Sequence, residues 1–168
     1  IIYYSIILKK KSLFLYKHKD MSKRLNNSDV LKFIFAGNST FTFLNSETEN
    51  RFNYRVKKAK DSNLFFVSVL TGPEQYSYLG TVSNGIYKHG KKSNFTGAQS
   101  EKVFSYVLNK LKTESLPECI EIWHEGKCGK CNRPLTVPSS IETGIGPECF
   151  KTLSKAEKRD IFLTSILG

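Results

Sequence analysis

A chain of 168 residues, 39% hydrophobic and 24% charged, has the composition of a globular protein: one domain, or a domain with a small module. The eight apolar or near-apolar residues that open it fall far short of the ~20 that span a bilayer, and the lysines come after them, the reverse of a signal peptide. The formal charge of +11 invites an anionic partner, but it sits upstream: residues 116–168 hold seven basic and seven acidic side chains.

Residues 1–20 are expected to be read-through ahead of a natural start at Met21, or else a basic arm. The pattern SDVLKFIFAG predicts a short helix, capped by Ser28 and stopped by Gly37. The period then changes to two. Phe41 and Phe43 alternate, as do Phe52, Tyr54 and Val56, with polar SETEN as the turn between them. The apolar run NLFFVSVL (63–70) predicts a central strand; TGPEQ turns the chain into YSYLGTV, and Asn84-Gly85 is a hairpin signal ahead of IYKH. Together these predict an antiparallel meander of about five strands, followed by a basic loop from Gly90 to Gly97.

Residues 99–113 return to helical period, with Val103, Phe104, Val107, Leu108 and Leu111 on the face that should cover the sheet. Pro117 marks a boundary. The fold class expected is therefore α+β: residues 21–115 as an antiparallel sheet with flanking helices, and residues 116–168 as a treble-clef-like zinc module ending in an amphipathic helix from Ser154 to Leu167.

The zinc expectation rests on WHEGKCGKCNRPLTVPSSIETGIGPECF, which reads His-x3-Cys-x2-Cys-x17-Cys. A structural Zn²⁺ takes four nitrogen or sulfur ligands in a tetrahedron at about 2.0–2.3 Å, and a Cys-x2-Cys turn supplies two thiolates from one loop. Five side chains compete for four places: Cys119, His124, Cys128, Cys131 and Cys149. Cys119 and His124 would lie about 16 Å apart on one strand, so both cannot bind one ion. His124, three residues before the turn, is preferred, with Cys119 as a small buried residue. Cys149 follows a Gly-Ile-Gly-Pro turn, which places it in the first turn of a helix whose dipole favours a thiolate. With three of four cysteines in this run, the thiols are expected to be reduced and the protein intracellular.

Four such ligands close the metal's coordination shell, which argues against metal hydrolysis. The order of the motif does not fit a zinc deaminase either, since Glu125 directly follows His124. No enzyme activity and no small-molecule substrate are expected.

The run from His124 to Cys149 resembles a phage and plasmid family known only as domain of unknown function 6011. Arg133, Leu135, Thr136, Pro138, Ser140, Ile141, Gly144, Gly146 and Pro147 fall on its pattern, and Asn132 stands where the family usually has Gly. The segments FTF, FFVSVLTGPEQYSYLG and HGKKS resemble what precedes the module in phage-encoded relatives. The resemblance implies zinc and a mobile-element origin, hence the cytoplasm of a bacterial host, and implies no activity.

For function, tyrosines and phenylalanines on a sheet with lysines between them match the way single strands are held: bases stack and phosphates meet cations. The expected contacts are Arg55, Lys57, Lys58, Lys60, Lys88, Lys91 and Lys92. The plainer account makes the rings core and the lysines solvated edge charges. The competing function is a module that binds a host or phage protein.

Overall fold

The structure, a computed structural model, describes residues 23–153. Residues 1–20 and the expected helix from Ser154 lie outside the described residues. Seven strands form one antiparallel sheet: β1 (Lys23–Arg24), β2 (Asn38–Asn45), β3 (Arg51–Lys58), β4 (Leu64–Gly72), β5 (Gln75–Ser83), β6 (Ile86–His89) and β7 (Ile120–His124). Four helices accompany them: α1 (Asn27–Ile34), α2 (Gln99–Lys112), α3 (Pro138–Thr143) and α4 (Pro147–Thr152). Among the described residues no helix is long and apolar enough to cross a membrane.

The predicted meander is present as β2 to β6, each strand beside the next. Its turns follow the predicted chemistry. Asn84 and Gly85 both have positive φ, 49° and 71°, as a two-residue hairpin matched to strand twist requires. The expected helix starts earlier than its Ser28 signal, at Asn27 with Asn26 as N-cap.

The larger departure is at the C-terminal side. The CIEIW segment does not stand in a separate module: β7 pairs with β2 from Phe41↔His124 to Asn45↔Ile120, and β1 pairs with β7 beyond it. The strand order is β1-β7-β2-β3-β4-β5-β6. Residues on either side of 116 therefore share one sheet. Cys119 lies just before β7, where its carbonyl accepts the N–H and the hydroxyl of Ser46 at the end of β2.

Strand alternation sorts side chains onto two faces. The inner face carries Phe41, Phe43, Tyr54, Val56, Val67, Val69 and Val82, all buried. Helix α2 covers it: Phe104 lies 5.2 Å from Tyr54, 5.4 Å from Tyr87 and 6.1 Å from Phe43 between ring centroids. The Tyr54 hydroxyl donates to the Ser100 carbonyl at 2.7 Å, so its polar end is satisfied inside the core. Helix α1 covers the other half of the same face, where Phe33 packs on Phe41 and on His124. These contacts set both α1 and α2 on the inner face.

Candidate functional site

The knuckle forms directly beyond β7. The Cys128 N–H donates to the Arg133 carbonyl and the Asn132 N–H to the Cys128 carbonyl, each at 2.8 Å, and Lys127 bridges to Pro134. Asn132 sits at φ 61°, the left-handed conformation that glycine adopts without strain and asparagine tolerates better than most residues. Asparagine at this position therefore suits the turn. Helix α3 then ends on Gly144, and Pro147 opens α4 in its first turn, with Cys149 two residues further on.

This path brings Cys128, Cys131 and Cys149 together, their Sγ atoms all within 4.8 Å of one another. Three thiolates on one zinc ion stand about 3.8 Å apart when each bond is about 2.3 Å, so the triangle is of a size that a single ion fills. Cys128 is buried, Cys149 half-buried and Cys131 exposed. Burial alone would push the Cys128 thiol up, but the N–H groups of Gly146, Cys131 and Lys130 around its sulfur bring it below the ordinary value. Cys149 moves the other way. Burial and the neighbouring Cys131 and Cys128 sulfurs push it up to about 12, against the expectation that the helix dipole holds it as a thiolate. A metal ion reverses that balance, because it binds the deprotonated sulfur and takes the place of the shared protons.

His124, expected as the fourth ligand, stands apart from the cluster. The ring is 0% exposed. Its Nε2 donates to the Ile141 carbonyl at 2.6 Å, and its Nδ1 accepts the Gly126 N–H at 2.9 Å. Both nitrogens are occupied by backbone, which fixes a neutral Nε2–H tautomer. Burial, together with the charge of Lys23, holds its pKa below the ordinary value, against the bond to Ile141. The spacing His-x3-Cys signalled proximity, but the imidazole is spent as a buckle between β7, the knuckle and α3. Cys119 is likewise outside the cluster.

On the outer face of the sheet the basic residues divide. Lys57, Phe66, Thr81 and Lys88 form one lateral row across β3 to β6. Arg55 lies in the next row, beside Ser68 and Tyr78, and its guanidinium rests 3.9 Å over the Tyr76 ring. Phe66, 43% exposed, packs 6.3 Å from Tyr78. Trp123 of β7, opposite Thr42, adds a further ring, its indole N–H held by Glu121 at 2.9 Å. Lys58 has the opposite parity, near Phe65 of the inner face, while Lys60, Lys91 and Lys92 lie exposed in the loops after β3 and β6. The structure thus places Arg55, Lys57 and Lys88 on one face, Lys58 on the opposite side of β3, and Lys60, Lys91 and Lys92 in loops. Of the rings that share this face, Phe66 and Trp123 were legible as the outward half of their alternations, whereas Tyr76 and Tyr78 were not. A bulge between Val67 and Ser68 reverses the pattern in β5, so that Tyr78 faces out and Leu79 in.

Residues 123–154, from the end of β7 through α4, match a family of unknown function (DUF6011). The match takes in His124 and all three clustered cysteines. No curated protein and no solved structure matches the chain.

Proposed function

We propose that this chain is a zinc-bound, non-catalytic protein of a phage or mobile element, and that it binds single-stranded nucleic acid on the outer face of its sheet in the cytoplasm of a bacterial host. The observation that carries this reading is the Arg55 guanidinium stacked on Tyr76, on the same face as the Lys57–Phe66–Thr81–Lys88 row. Exposed or half-exposed rings offer π-faces to bases, and cations at strand spacing offer partners to successive phosphates. Among the described residues, both helices that cover the sheet lie on its inner face, which favours the outer one as the contact surface. Zinc is favoured for the metal because three thiolates form a soft donor set, and it would tie the knuckle to α4.

The test uses the full chain with labelled single- and double-stranded oligonucleotides at about 50 and about 200 mM salt. Three cation–phosphate contacts predict a loss of about 20-fold in single-strand affinity over that range through counterion release. A flat salt response, or no binding at low salt, would remove the nucleic-acid reading and leave a host or phage protein as the partner.

A further inference from the structure

Among its rings and cations the outer face of the sheet carries a carboxylate, which phosphate binding alone does not explain. Glu125 follows Glu121 and Trp123 at two-residue spacing and continues the outward side of β7, while Ile122 and His124 are buried on the other side. Its Oε1 accepts from the side-chain amide of Asn53 at 3.3 Å. Asn53 stands opposite Thr42, which stands opposite Trp123, and Arg55 lies two residues further along β3. Glu125 is also close enough to act on the Arg55–Tyr76 stack: burial and the Glu125 charge raise the Tyr76 hydroxyl above its ordinary value, against Arg55. The neighbouring outward acid is used differently. Glu121 accepts from Arg24 at 3.1 Å and from the Trp123 indole at 2.9 Å.

We propose that Glu125 reads the Watson–Crick edge of a base stacked at the Arg55–Tyr76 pair, and that the base it selects is guanine. This rests on the nucleic-acid reading above and adds a base preference to it. Rings and guanidinium planes hold the flat face of any base, so selection has to come from groups at its edge. An ionised carboxylate only accepts hydrogen bonds, at about four positions, of which the Asn53 amide uses one. Toward a phosphate such a group is repulsive; toward a base edge it discriminates. Guanine presents two donors side by side, the ring N1–H and the exocyclic N2–H, which match the two carboxylate oxygens. Adenine and cytosine set one exocyclic donor beside an unprotonated ring nitrogen, whose lone pair would face the second oxygen. Thymine and uracil flank their one N–H with two carbonyls. Asn53 is a positioning residue here, since its bond to Oε1 holds the carboxylate on the face that carries the stack.

The experiment measures binding of the full chain to labelled oligothymidine, and to the same strand with isolated thymines replaced by guanine, adenine, cytosine or hypoxanthine, at about 50 mM salt. The proposal expects the guanine strand to bind about 5- to 150-fold more tightly than the thymine, adenine and cytosine strands, the range of one bidentate contact. Hypoxanthine, which lacks the exocyclic amine, should lose most of that gain. Glu125→Gln keeps an oxygen for Asn53 but removes the charge and one acceptor, and should abolish the preference by weakening the guanine strand alone. Equal binding of the natural chain to all strands, or preference for another base, would overturn the proposal and leave the nucleic-acid reading standing. So would a Glu125→Gln chain that binds every strand more tightly and still prefers guanine, since Glu125 would then be only a counter-charge. No binding to any strand would defeat the nucleic-acid reading itself and the proposal with it, a result distinct from the other two. If Glu125→Gln does not fold, the comparison of strands on the natural chain decides alone.

Discussion

The Nε2 of His124 donates to the carbonyl oxygen of Ile141 at 2.6 Å, which fastens the last residue of β7 to the helix that follows the knuckle. With Nδ1 accepting from Gly126, the imidazole works as a three-way brace. His124→Gln should therefore lower stability, by about 1–3 kcal/mol for the buried groups left unpaired. Metal stoichiometry should stay unchanged. Cys128→Ala should release the metal. Metal analysis beside thermal denaturation separates the two effects, and loss of metal from His124→Gln would make His124 a ligand after all.

On the outer face, ring and charge make different predictions. Tyr76→Ala removes a stacking surface and should weaken single-strand binding by about 1–3 kcal/mol at every salt concentration. Lys57→Ala and Lys88→Ala should each flatten the slope of log affinity against log salt by about 0.7. Lys58→Ala, near Phe65 of the inner face, should change the slope less. Equal effects of all three lysines would indicate a diffuse charge rather than a face.

Acidification should weaken the fold in two stages. His124 has its pKa held below 6.5, chiefly by burial, so the unfolded chain binds its proton first and stability falls as pH drops below that value. Glu101 adds a lower stage. Burial would raise it, but the Gly97 N–H, His89 and Tyr87 together bring it below 4.5, so its contribution is present above that value and lost as pH falls through the folded pKa. Melting temperature measured from neutral pH down to about 2 should show both stages. Glu101→Gln should remove the lower one, and His124→Gln the upper.

Gly144 ends α3 at φ 71°, and a Cβ there would run into the ring of Phe33 and approach Leu25 at 3.4 Å. Gly144→Ala combines left-handed strain of about 1–2 kcal/mol with a core clash. It should cost more stability than Gly97→Ala, which has positive φ but open space around it. Chemical denaturation of the pair checks this; equal losses would mean that Phe33 yields freely.

Local pattern made most of this architecture readable before any coordinates. Two-residue alternation in Phe41/Phe43 and Phe52/Tyr54/Val56, the Asn84-Gly85 turn and the helical period of 99–113 all report on neighbours in sequence, and all are present. The pairing of Trp123 with Thr42 is different: it joins positions about eighty residues apart, and nothing in either segment names its partner. His124 shows the same limit at the site. Spacing located the imidazole near the Cys-x2-Cys turn, but its fate was decided by the Ile141 carbonyl, a backbone group that composition cannot reveal. The cysteine triangle was legible because thiol chemistry constrains spacing directly.

The insertion of β7 between β1 and β2 bears on the order of assembly. The meander from β2 to β6 can pair hairpin by hairpin as it leaves the ribosome, with short loops to close. Until Ile120–His124 emerges, the free edge of β2 stays unpaired beside Phe41 and Phe43. A nascent or truncated chain ending before residue 120 would present that bare strand to other chains, a template for intermolecular pairing. The knuckle and its three clustered cysteines follow directly behind β7, so the capping strand and the cysteine segment reach the sheet together, after the meander is complete.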